Sequence, residues 1–301
     1  MNDMTQTNRD GLIYCLIIFI AVLALVISGV IGCSTFQKAV EADKNYLTTC
    51  GSVESVKDVK YCVHFRQNEE IVQTVFYNHG LLDSEKVLQV SIFNQDSLKE
   101  IVAKTHNTIF VVFSFGRSWL ATIYPDRWMM PKEATIEMIK TKIFPELVNK
   151  FPLTKPWKMV GHSMGGANAA TICSQLPEEF QSCMLVNPML IACNPFNLFD
   201  FSCLSAPIIR GNYPSKKMWD QYGQDAMLTR TTKLPSIYVT ACKNDKFKLY
   251  EGPKSWATKA VLLGLPVVYE EGLDNCNHQR WRTDSVLRML APTDVLLKLD
   301  Q

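Results

Sequence analysis

The chain carries little excess charge of either sign and few glycines or prolines. Lys+Arg number 31 and Asp+Glu 29, a formal net charge of +2, and charged residues make up 20%. That balance, with no basic stripe interleaved with aromatics, excludes an electrostatic nucleic-acid binder. Gly 14 and Pro 14 in 301 residues exclude collagen-like and low-complexity architectures. Metal-site patterns are missing too. The sequence has no C-x-x-C pair and no H-E-x-x-H, so a zinc site is not expected. What remains is a chain of ordinary globular composition, 47% hydrophobic, long enough to bury a large core without covalent staples. Its length fits one or two domains.

One segment stands apart. Leu12 to Cys33 reads LIYCLIIFIAVLALVISGVIGC and holds no charge. As a helix it would reach about 33 Å, enough to cross the hydrocarbon core of a bilayer. A buried core helix of that length would show a polar face, and this run shows none. Two membrane readings follow. The segment is an uncleaved anchor, or it is a lipoprotein signal peptide, since Val30-Ile31-Gly32-Cys33 resembles a bacterial lipobox with lipidation at Cys33. Asp3, Arg9 and Asp10 leave the preceding stretch with little positive charge for either reading. Both tether the remainder to a membrane and imply export, to the periplasm or cell envelope if the lipobox is real. Residues 1–33 are therefore set apart, with 34–60 as linker and N-terminal extension and 61–301 as the folded domain.

Cysteine use agrees with export. Apart from Cys15 and Cys33, eight remain: Cys50, Cys62, Cys173, Cys183, Cys193, Cys203, Cys242 and Cys276. An even number in an oxidising compartment permits bridges. The bland alternative is that several are small buried hydrophobes.

From about residue 60 the chain alternates β-branched apolar runs with helical patterns. Strands are expected at Val72–Tyr77, Thr108–Phe113, Trp157–Val160, Met184–Val186, Ile237–Thr240 and Val267–Tyr269. Helices are expected around Ser97–Lys104, over Lys132–Asn149, from Gly161 to about Gln175, and over Asp284–Leu290. Such alternation predicts an α/β fold, a mostly parallel sheet covered by helices on both faces. Between Met189 and Leu234 the spacing opens, in a stretch rich in Phe, Leu and Pro. A long insertion there is either a lid or binding wall, or a decoration on the sheet edge.

Gly161-His162-Ser163-Met164-Gly165-Gly166 follows an expected strand and opens an expected helix. That context makes it a nucleophile elbow, where a serine sits in a strained turn at a helix N-terminus. A nucleophilic serine needs a base, and the base an orienting carboxylate, in the chain order Ser, acid, His. Of the five histidines only His278 follows Ser163, in a loop after the last expected strand. Asp245, just past Ile237–Thr240, is the first choice of acid, with Asp225 and Asp274 as competitors. The oxyanion of a tetrahedral intermediate needs two N–H donors. Met164 supplies one, and Leu81, after His79-Gly80, is expected to supply the other.

Over roughly residues 70–290 these pieces resemble the alpha/beta hydrolases, in the branch around esterase D, S-formylglutathione hydrolase and enterochelin esterase. The matching residues are Tyr77-Asn78-His79-Gly80, Gly116-Arg117-Ser118-Trp119, Phe144-Pro145-Glu146-Leu147, Gly161–Gly166 and His278-x-x-Trp281. The loop after His-Gly departs from the glycine-rich form, reading Leu81-Leu82-Asp83. The resemblance implies an alpha/beta-hydrolase fold, a serine esterase triad of Ser163, Asp245 and His278, and oxyanion donors at Met164 and Leu81. It also implies a substrate-binding surface including Gly80, His162 and Trp119. No metal or organic cofactor is expected, and the expected partners are a small ester or acyl substrate and a membrane. The rival readings are an acyltransferase using the same triad and a hydrolase-fold module that only binds.

Overall fold

The computed structural model describes residues 46–56, 59–80, 83–88, 96–115, 135–190, 196, 215–231, 233–245, 249–272, 276–278 and 283–291. Eight strands form one sheet: β1 (Tyr46–Ser52), β2 (Lys60–Arg66), β3 (Gln73–Asn78), β4 (Thr108–Ser114), β5 (Trp157–His162), β6 (Phe180–Val186), β7 (Ser236–Ala241) and β8 (Val267–Glu271), in the order β1-β2-β4-β3-β5-β6-β7-β8. β1 and β2 pair antiparallel, as do β2 and β4; all the other pairs are parallel.

The central strands are apolar on both sides because helices cover both faces. On one face, the rings of Phe76, Phe144 and Trp157 meet at centroid distances of 4.9–5.0 Å. Phe144 comes from a continuous helical run, α2, made of Ile136–Met138, a π-helical Ile139–Ile143 and Phe144–Lys150. The same core takes in α3 (Met164–Gln175). On the other face, Val75, Tyr77, Phe110, Val112, Val160, Met184 and Val186 lie under α1 (Asp96–Lys104) and the C-terminal helix, Thr283–Leu290.

The strands expected from apolar runs are present: the one expected at Val72–Tyr77 is shifted by one residue, and the other five are longer by one to four residues. Two departures are informative. Tyr46–Ser52, assigned from sequence to the extension before residue 61, is an edge strand of the sheet. Its sequence, YLTTCGS, is too polar to announce a strand; pairing with β2 makes it one, and a Cys50–Cys62 disulfide joins directly opposite residues. Within the expected insertion, Lys216–Tyr222 (α4) and Gln224–Arg230 (α5) are helical. Of the remainder of that stretch, 191–195 and 197–214 lie outside the described residues. Glu251–Leu262 (α6) links β7 to β8, which makes Thr283–Leu290 α7. Among the described residues no helix is long and apolar enough to cross a membrane. The run from Leu12 to Cys33 lies outside them.

Candidate active site

The parallel strands bring their C-terminal ends to one edge of the sheet, and loops there carry the side chains singled out by the sequence. Ser163 follows β5 directly, at φ 57 and ψ −121. Only tight local fixing holds a non-glycine residue there. The Ser163 N–H donates to Val186 O at 3.0 Å, and its carbonyl accepts from Met189 N–H at 2.7 Å. The neighbouring glycines are required by close approach. A Cβ on Gly165 would lie 2.1 Å from Asn78 O, and one on Gly161 would lie 2.3 Å from Gly165 O. Both obstacles are backbone, so neither site accepts a side chain without moving the elbow.

Met164 is the first residue of α3, so its amide belongs to the open N–H groups of a helix N-terminus. Gly80 lies against the serine: a Cβ there would be 3.3 Å from Ser163 Cβ. Beside it, His79 Nδ1 donates to Gly80 O at 2.8 Å, and burial lowers the His79 pKa. Leu81, the expected second oxyanion donor, and Trp119, the expected pocket residue, lie outside the described residues.

Asp245 stands four residues past β7 and His278 seven past β8. The two meet, His278 Nδ1 donating to Asp245 Oδ2 at 2.6 Å, with the carboxylate side chain 1% exposed. Of the competing acids, Asp225 is on α5, exposed and paired with Lys259 at 3.0 Å. Asp274 lies outside the described residues.

Three consecutive residues of the histidine loop are each tied down. Cys276 is disulfide-bonded to Cys242, with Cα atoms 5.5 Å apart. The Asn277 carbonyl accepts from Asn187 Nδ2 at 3.1 Å. The His278 carbonyl accepts from His162 Nε2 at 2.7 Å, and the two rings lie 4.8 Å apart. His162, assigned from sequence to the substrate-binding surface, is buried and holds the His278 carbonyl. Burial, reinforced by the nearby His278 charge, pushes its pKa down to about 3, which keeps it neutral with the proton on Nε2. Asn187 was not singled out by the sequence, since a single Asn after a strand carries no pattern. Among the described residues no group of three or more His, Cys, Asp or Glu is arranged to hold a metal.

A family model described as the alpha/beta hydrolase fold matches residues 124–203. No curated protein matches the chain. Solved structures do. The fluorophosphonate-binding serine hydrolase F of Staphylococcus aureus, in its substrate-bound form, is 17% identical, with a TM-score of 0.60 over 81% of this chain and 96% of that one. The S-formylglutathione hydrolase of the same organism is 16% identical, with a TM-score of 0.58 over 81% and 96%. The S-formylglutathione hydrolase of Agrobacterium tumefaciens is 18% identical, with a TM-score of 0.57 over 84% and 93%. The chain has the alpha/beta-hydrolase fold.

Proposed function

We propose that the protein is a membrane-tethered serine hydrolase of carboxylic esters, with Ser163 as nucleophile, His278 as base and Asp245 as the orienting acid. The observation that carries this reading is the buried Asp245–His278 hydrogen bond of 2.6 Å, on the same sheet edge as a serine held at φ 57. The likeness to serine hydrolases and S-formylglutathione hydrolases supports it.

In this scheme His278 Nε2 takes the Ser163 proton as Oγ attacks the acyl carbon, and then gives that proton to the departing alcohol. Asp245 keeps the Nδ1 proton in place, so that Nε2 is the basic nitrogen, and it stabilises the imidazolium that forms. The oxyanion is held by the Met164 amide and by the amide of Leu81; the closeness of Gly80 to Ser163 supports that second donor. Water activated by His278 then attacks the acyl-enzyme and frees the carboxylic acid. The tether is the uncharged run from Leu12 to Cys33. Export to an oxidising compartment is supported by two disulfides, Cys50–Cys62 and Cys242–Cys276.

A fluorophosphonate probe tests the reading, because its adduct mimics the tetrahedral intermediate and an unactivated serine is a poor nucleophile. The wild-type protein should label stoichiometrically at Ser163 and Ser163→Ala should not label. Asp245→Asn should stay folded and lose ester turnover by roughly ten-thousand-fold, the scale of the same change in a serine protease. A folded wild-type protein that takes no label and cleaves no activated ester would leave the binding-module reading.

A further inference from the structure

We propose that Asn187 is a positioning residue: one buried side-chain amide ties the loop carrying Asp245 to the loop carrying His278 and sets the alignment of the pair. The proposal rests on the triad reading above and adds a member that neither touches substrate nor belongs to the elbow.

Asn187 follows β6 directly and is 1% exposed. Its backbone is fixed first. The N–H donates to Thr240 O at 2.8 Å, and φ is 40, in the left-handed region that Asn tolerates better than most residues. From there the two ends of the amide go to different loops. Oδ1 accepts from Cys242 N–H at 2.8 Å, and Nδ2 donates to Asn277 O at 3.1 Å. Cys242 lies three residues before Asp245, and the Asp245 N–H turns back to Cys242 O at 3.1 Å. Asn277 is the residue before His278. One planar group therefore spans the acid and the base through backbone links of three residues and one residue.

Chemistry dictates the side chain. The bridge needs a donor and an acceptor held rigidly side by side. Asp supplies two acceptors and would face the Asn277 carbonyl with no hydrogen. Gly suits the positive φ but brings neither group. The disulfide Cys242–Cys276 joins the same two loops, yet it does a different job. It limits the distance between Cα atoms while leaving several single bonds free to rotate. The hydrogen bond to Asn277 O fixes the plane of the peptide between Asn277 and His278, and so the direction in which the imidazole leaves the backbone. His162 repeats the device one carbonyl later.

The test compares wild type, Asn187→Ala and the isosteric Asn187→Asp, each checked for folding by circular dichroism and thermal melting. Misalignment on the order of an ångström costs about a hundredfold in rate. Both variants should therefore lose roughly 10- to 100-fold in kcat on a small activated ester, with KM changed by less than about twofold. The acidic limb of the Asn187→Ala pH–rate profile should move to lower pH, because a less well-held carboxylate stabilises the imidazolium less; in Asn187→Asp the added carboxylate opposes that shift, so kcat and the proton resonance decide there. The far-downfield NMR resonance of the His278 Nδ1 proton should be present in wild type and should shift upfield or vanish in both variants. A folded variant with wild-type kcat, pH limb and proton resonance overturns the proposal. If Asn187→Ala does not fold, the volume-conserving Asp variant decides. The resonance can be read without turnover, so loss of the hydrolase reading and loss of the Asn187 proposal are separate results.

Discussion

His64 lies on β2 at 2% exposure, with Nδ1 hydrogen-bonded to Thr48 Oγ1 at 2.9 Å. Its Nε2 is buried and has no hydrogen-bond partner among the described residues. Burial pulls its pKa from 6.5 to about 4. The unfolded chain therefore takes up this proton before the folded one does. The stability contributed is complete above the unfolded value of 6.5 and is lost as the pH falls toward about 4. His79 and His162 have the same sign. Glu146, bound by the Glu54 and Ser55 amides, is held down at about 2 and adds its own loss only at lower pH. Urea titrations at pH 6.5 and 5 isolate the histidines. The wild-type midpoint should fall over that interval, and His64→Phe should fall less. Equal losses in the two proteins would show that His64 is not buried neutral.

At the scale of elements, the last helix is fastened by an unexpected residue. Lys158 projects from β5 into an apolar layer at 4% exposure, and its Nζ donates to the carbonyls of Met289, Leu290 and Ala291 at 3.0–3.1 Å. An ammonium has three hydrogens, and the end of a helix offers open carbonyls and a negative dipole, so the match offsets the cost of burial. That cost shows in a pKa lowered to about 8. Lys158→Met keeps the length and removes the donors. It should destabilise the fold by about 1–3 kcal/mol, and hydrogen exchange should rise first in 286–291. Unchanged stability and exchange would mean that water replaces the ammonium without penalty.

At the scale of the whole molecule, Ser163, Asp245 and His278 come from loops after three different strands, β5, β7 and β8, and a disulfide crosses between two of those loops. The proposed tether is a separate matter carried by the sequence. Because the run from Leu12 to Cys33 is uncharged and long enough to span, full-length protein should sediment with membranes and resist a carbonate wash, while fragment 38–301 should remain in the supernatant. A diacylglyceryl adduct on Cys33, seen by intact mass, selects the lipoprotein form; an unprocessed Met1 terminus selects the anchor. Full-length protein found wholly in the supernatant would remove both.

By itself the sequence determined what local chemistry dictates. Apolar β-branched runs marked the six parallel strands, and Gly161–Gly166 marked the elbow, since only glycine permits backbone as close as that between Gly165 and Asn78. The order Ser, acid, His left one histidine to choose. It left the acid open among Asp225, Asp245 and Asp274, because one-dimensional spacing does not say which carboxylate meets an imidazole. The carboxylate that contacts His278 is that of Asp245. The edge strand Tyr46–Ser52 was invisible for a related reason: its residues are polar, and only hydrogen bonding to β2 makes them a strand. Cysteine spacing allowed several bridges, and juxtaposed Cα atoms selected Cys50–Cys62 and Cys242–Cys276 among the described residues. Asn187, Lys158 and the carbonyl-holding role of His162 belong wholly to the tertiary structure. Each works by meeting backbone groups of a segment at least 55 residues away in sequence, and no local pattern encodes a partner that distant.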